Sequence, residues 1–276
     1  MTPKNILVPI DFSACSINAL KLASKLATTW HSKIHAVHAI AIPATYVSVS
    51  DPMVPAMSEG YDQKAQEDLQ KLLSDMPELT DVRYESHVSF SSLVGSVDEI
   101  MAKQPLDMIV MGTKGKHDRL EKLLGGQSAE MIQQSNIPVL VIPENIRVLN
   151  ISKIGLATDS VSLHHETPLK AIRHFQELSN AAIEVFYVGK DNESVDFGLS
   201  ELKRSIDSKH FDSNIEFHNV HENKIEHGIL EHIHENAIDM LVMMPRDHAF
   251  IDRLLHSSVT KKVAMRIDIP LLTIKD

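Results

Sequence analysis

Gly112-Thr-Lys-Gly115, followed ten residues later by Gly125-Gly126-Gln127-Ser128, is a pair of glycine clusters spaced to hold an anion. Glycine lets backbone amides approach a ligand that a Cβ would hold away. After the second cluster, Gln127-Ser-Ala-Glu-Met-Ile-Gln-Gln134 sets apolar and small residues at helical spacing. The amides of its first turn would face a phosphate with the helix dipole behind them. Ahead of the first cluster, Asp107 leads into the apolar run Met108-Ile-Val-Met111, which has the length and character of a strand covered on both faces. Ligands of an open parallel sheet lie beyond the carboxyl ends of its strands, so these glycines stand in a ligand-binding position. The pattern reads as a nucleotide-phosphate cradle. It contains neither GxxxxGK[ST] nor a GxGxxG after a strand, and so supports neither a Walker-type nucleotidase nor a dinucleotide dehydrogenase.

The elements that would position this cradle alternate in type. Lys4-Asn-Ile-Leu-Val-Pro-Ile-Asp11 reads as a buried strand ending in a carboxylate, and Phe12-Ser13 leads into an amphipathic helix from Ala14 to Thr29. Ile34 to Ile40 is a second strand, followed by a polar loop, a helix near Ser58 to Ser74 and a third strand from Val82 to Val88. Val94-Gly95-Ser96-Val97 starts another helix, and Pro138-Val-Leu-Val-Ile142 is the last strand. With right-handed crossovers, this order gives an open, doubly wound parallel five-stranded sheet flanked by helices.

This half resembles the universal stress protein family. The likeness rests on the opening strand ending Val8-Pro9-Ile10-Asp11, on the Val94-Gly95-Ser96 helix start, and on the motif G-x2-G-x9-G-(S/T) of ATP-binding members. Gly112, Gly115 and Gly125 keep that spacing, with Gly126 in the Ser/Thr place. Alternatively, Gly126 is the third glycine and Gln127 or Ser128 supplies the polar contact. The resemblance implies an adenine and ribose pocket near Pro9, Asp11 and Ala39. It also implies phosphates held where Met111 and Gly112 end the strand, over Gly115 and the Gly125 to Ser128 helix start. The ligand would be ATP, with or without Mg. Asp11 would accept hydrogen bonds from ribose hydroxyls or the adenine amino group; its place before a helix equally suits capping of the first turn around Ala14.

The second half repeats the first. Asp239-Met-Leu-Val-Met243 answers Asp107 to Met111, and Ile269-Pro-Leu-Leu-Thr-Ile274 answers Ile137 to Ile142 at the same offset; Asp159 stands where Asp11 stood. Two similar domains are expected, 1–146 and 147–276, joined near Glu144 to Ser152. The second cradle has lost its glycines: Met244 replaces Gly112, Asp247 replaces Gly115, and Ser257-Ser258 replace Gly125-Gly126. Side chains at Met244 and Pro245 would crowd the approach, and Asp247 would repel phosphate. Ser257, Ser258 and Arg246 keep open the alternative of another anion. One nucleotide per chain is therefore expected. Members of the resembled family commonly dimerise through the last strand, which implies that Pro138 to Ile142 and Pro270 to Ile274 pair within this chain as a pseudo-dimer. Such pairing removes two exposed sheet edges, and any homodimer would use other surfaces.

Composition excludes several classes. A formal net charge of −10 argues against nucleic-acid affinity. No apolar run is long enough to span a bilayer and no signal segment opens the chain, so a cytoplasmic location without membrane insertion is expected. Cys15 is the single cysteine and reads as a small buried residue at a helix start. The 16 histidines nominate no metal centre. His227, Glu231 and His234 share one helix face, as zinc ligands would, but without H-E-x-x-H the face reads as a solvated one; His35 and His38 point to opposite faces of a strand. Ser128, Asp11 and His117 could be grouped as a triad, but no G-x-S-x-G elbow supports it. Lys114, Lys116 and Arg119 are better placed to neutralise phosphates. The resembled family consists mainly of nucleotide-responsive regulators, some with slow ATP hydrolysis, so a catalytic residue is not assigned. The alternative is a scaffold or carrier of an apolar ligand under a loop from Ser48 to Met57.

Overall fold

The computed structural model describes residues 2–40, 53–114, 124–158, 166–189, 215–244 and 259–275. They form an α/β fold with five strands from each sequence repeat. In the first repeat β1 is Asn5–Pro9, α1 Ala14–Trp30, β2 Lys33–Ala39, α2 Met53–Ser74, β3 Arg83–Ser89, α3 Leu93–Met101, β4 Met108–Gly112, α4 Gly126–Gln134 and β5 Val139–Ile142. In the second, β6 is Lys153–Thr158, α5 Glu166–Ser179, β7 Ala182–Gly189, β8 Ile215–His221, α6 Ile225–Glu235, β9 Met240–Met243, α7 Val259–Ala264 and β10 Leu271–Thr273. The expected helix near Ser58 begins earlier, at Met53, so Met53 and Met57 belong to a helix and not to a loop. Residues 48–52 lie outside the described residues, as do Gly115, Asp159, Pro245, Asp247, Ser257 and Ser258.

Packing divides the chain into two compact units, residues 1–118 with 125–137, and 119–124 with 138–276. In the first, the strands run in the order β3-β2-β1-β4, all parallel, with Asn5 opposite Lys33, Ile6 opposite Met108 and His35 opposite Glu85. Ile6, Leu7, Val8, Ile34, Ala36 and Val37 are fully buried beside Ile109 and Val110, as a sheet covered on both faces requires. Helix α1 buries Ala19, Leu20, Leu22 and Ala23 on this core. Ser13 caps the helix by accepting from the Ser16 amide, and His31, at φ 55°, ends it by donating from its backbone N–H to the Ala27 carbonyl.

In the second unit the order is β5-β10-β9-β6-β7-β8. Every pair is parallel except β5 with β10, where Leu272 faces Leu140 and Thr273 faces Val139 in an antiparallel ladder. β5 thus belongs to the first repeat by sequence and to the second unit by packing. No helix among the described residues is long and apolar enough to cross a membrane.

Candidate functional site

The strand order of the first unit places a topological switch between β1 and β4. From β1 the chain winds outward to β2 and β3, then returns to the other side for β4. Helices that leave the two sides diverge there, opening a crevice beyond the carboxyl ends of the strands. A cleft of about 470 Å³ open to solvent occupies this point. It is lined by Pro9, the last residue of β1, with Ile10 and Asp11 after it, Val37 and Ala39 of β2, Met111, Gly112 and Lys114 at the end of β4, Ser16 of α1, Leu93 of α3, and Gln127 and Ser128 of α4.

Seven of the ten residues expected from sequence therefore meet in one cleft: Pro9, Asp11, Ala39, Met111, Gly112, Gln127 and Ser128. Gly125 and Gly126 sit just behind, as the N-cap and first residue of α4, and Gly115 lies outside the described residues. Ile10, Ser16, Val37 and Leu93 line the cleft without having been singled out in the sequence. Their only available signal was position at a strand end or a first helical turn.

Two hydrogen bonds close the base of the glycine loop. The Gly125 amide donates to the Thr113 carbonyl at 2.6 Å, and the buried Ser128 hydroxyl donates to the Gly112 carbonyl at 2.9 Å. Gly125 has extended backbone angles, φ −77° and ψ 164°, and offers no capping side chain to α4. The first turn of α4 thus keeps amides without intrahelical partners next to the cleft, the arrangement that favours an anion. Gly112 is a glycine for a further reason. A Cβ there would stand 2.5 Å from Cys15 Sγ and 3.0 Å from the Cys15 carbonyl carbon and oxygen, so its absence lets β4 pack against the start of α1. A Cβ on Gly126 would meet nothing within 4 Å.

Asp11 does not cap α1 directly. Its Oδ1 accepts from the Ser13 amide at 3.1 Å and the Ser13 hydroxyl at 2.6 Å, and Ser13 is the cap. The turn that reverses the chain here takes Phe12 to φ 62°, and the Phe12 ring meets His38 edge-on with centroids 5.0 Å apart. His38 Nδ1 donates to the Ile10 carbonyl at 2.7 Å, while His35 is bonded elsewhere, as the opposite facing of the two rings requires. Cys15 is buried, with Sγ 3.9 Å from Thr113 Oγ1. Ser128 is committed to Gly112, and no triad with Asp11 forms among the described residues. Lys114 reaches the cleft; Lys116, His117 and Arg119 lie outside the described residues.

In the second unit Met244 follows β9 where Gly112 ends β4. His227, Glu231 and His234 are exposed on α6, with His227 Nδ1 3.3 Å from Glu231 Oε2. The strongly coupled charge of this unit is Glu184 of β7, 1% exposed. Burial alone would raise its pKa, but hydrogen bonds from Lys153 Nζ, at 2.9 Å, and from His232 Nε2 outweigh burial and hold it below the usual carboxylate range.

Comparison with known proteins identifies the family. The profile of the universal stress protein family matches residues 2–143 and again 150–275. A universal stress protein of Methanocaldococcus jannaschii is 27% identical over 139 residues, covering 50% of this chain and 81% of its own. Another, from Synechocystis, is 26% identical over 176 residues, covering 63% of this chain and 59% of its own. Among solved structures, a universal stress protein from Archaeoglobus fulgidus superposes with a TM-score of 0.73 at 18% identity, covering 98% of both chains; this likeness shows the fold. The twofold profile match, on the two repeats read from sequence and with one fold across them, makes this chain a tandem two-domain member of the universal stress protein family.

Proposed function

We propose that the first repeat binds one adenine nucleotide, ATP, and that the protein acts in the stress response as a nucleotide-responsive regulator. The observation that carries this reading is the convergence of Pro9, Asp11, Ala39, Met111, Gly112, Gln127 and Ser128 on one cleft at the β1/β4 switch. Adenine would lie against Pro9, Val37 and Ala39, which line one cleft with Asp11. Ribose hydroxyls would donate to the Asp11 carboxylate, which already accepts from Ser13 on one oxygen. The phosphates would lie against the α4 amides at Gly126, Gln127 and Ser128, with the Lys114 ammonium adding positive charge. Gly115 would complete the cradle from the loop, and Mg would accompany the triphosphate. Met244 in place of Gly112 leaves the second repeat without the same approach, giving one nucleotide per chain.

The test is what the purified full-length chain carries. Denaturation should release a compound with adenine absorbance, at no more than one equivalent per chain, and the stripped protein should take up ATP. Release of a lipid-like mass instead, with no uptake of ATP by the stripped chain, would support a carrier and overturn this reading.

A further inference from the structure

On β2 and β3, among residues that do not line the cleft, three ligand atoms converge. His35 Nδ1 stands 3.2 Å from His87 Nε2 and 3.5 Å from Glu85 Oε2, and the last two are 3.8 Å apart. The parallel register that sets His35 opposite Glu85 puts all three side chains on one face of the sheet. We propose that His35, Glu85 and His87 form a binding site for a divalent transition metal with the ligand preferences of zinc.

The geometry fits that ion. Ligands about 2.0–2.1 Å from a tetrahedral zinc stand about 3.3–3.4 Å from one another, and the three observed separations bracket that value. Gln104 stands beside the cluster: its amide Nε2 lies 3.1 Å from His35 Nδ1 and 3.4 Å from Glu85 Oε2. Either water or the oxygen of a turned Gln104 amide completes the coordination there.

The surroundings prepare each ligand. His35 Nε2 donates to Asn5 Oδ1 at 3.2 Å, which fixes the tautomer and leaves Nδ1 with its lone pair directed at the site. His35 is fully buried, so its ring is held in place by packing. Lys33 Nζ bonds Oε1 of Glu85, and Oε2 faces the two imidazoles. Lys33 also opposes the incoming cation, and the two imidazoles and one carboxylate must outweigh it. The second repeat carries a more acidic cluster at the same three strand positions. Glu184, Glu216 and His218 stand in equivalent register, but Lys153 and His232 occupy both oxygens of Glu184.

Cobalt(II) added to the EDTA-treated full-length chain tests this, because tetrahedral cobalt absorbs far more strongly in the visible than octahedral cobalt. We expect one equivalent to give the intense tetrahedral bands, displaceable by one equivalent of zinc. His87→Gln and Glu85→Gln, at partly exposed positions where the fold should survive as checked by circular dichroism, should each abolish the bands. Absence of tetrahedral bands in the wild type, or their persistence in either variant, overturns the proposal and assigns any metal uptake to surface histidines.

Discussion

The Ser128 hydroxyl and the Gly112 carbonyl, 2.9 Å apart, tie the start of helix α4 to the end of strand β4. The bond fixes where the α4 amides point, so it links the packing of the first unit to the proposed phosphate site. Ser128→Ala removes a donor from a buried carbonyl and is expected to cost about 1 kcal/mol of stability. It should also weaken ATP binding measurably by loosening the helix start. Urea unfolding and a binding isotherm on the same variant check both effects; no change in either would detach this bond from stability and site alike.

The glycines that look alike in sequence should respond differently to a methyl group. Gly112→Ala drives a Cβ into Cys15, including its backbone, and is expected to cost about 1–3 kcal/mol as an overpacked site. Gly126→Ala meets open space and should leave stability within about 1 kcal/mol. Thermal unfolding of the two variants side by side decides the matter, and equal midpoints would show that the α1–β4 contact relaxes freely.

His35 gives the first unit a pH dependence whose sign follows from its environment. With a folded pKa near 4 against 6.5 for the free side chain, the unfolded state takes up its proton first as pH falls. Stability from this group is full above pH 6.5 and is lost progressively down to about pH 4, by roughly 3 kcal/mol at most. Unfolding free energies of the metal-free chain between pH 7 and 4 should therefore slope downward. His35→Gln should lack that part of the slope; an identical slope would place the proton uptake elsewhere.

The antiparallel β5–β10 ladder should protect its amides. The central residues Leu140 and Leu272 are fully buried and face each other, so their exchange should require opening of the second unit, not local fraying. Amide exchange followed by mass spectrometry should place peptides over 139–142 and 271–273 in the same slow class. Fast exchange in 139–142 alone would mean that β5 detaches in solution.

Much of this was legible in the chain because the signals were local. Met108 to Met111 read as a buried strand from its apolar run, and the matched Asp107 and Asp239 marked the repeat. The structure adds why those aspartates recur: each carboxylate accepts from two successive amides at the start of the neighbouring strand, Lys4 and Asn5 in one case and Ser152 and Lys153 in the other. What stayed hidden depends on pairing between strands. In sequence His35 stands three residues from His38, whereas its partners Glu85 and His87 come from β3 through a register that no local pattern states. Asp11 shows the same limit at shorter range, since the left-handed Phe12 moves the helix cap on to Ser13.

Calorimetric titration of the chain with MgATP, run beside Ala39→Phe, which adds an aromatic ring to the cleft lining, counts the nucleotides held by the first repeat. One ATP per chain is expected for the wild type and no detectable binding for the variant at the same concentration. No heat of binding in the wild type, two equivalents per chain, or equal affinity in Ala39→Phe would contradict this assignment.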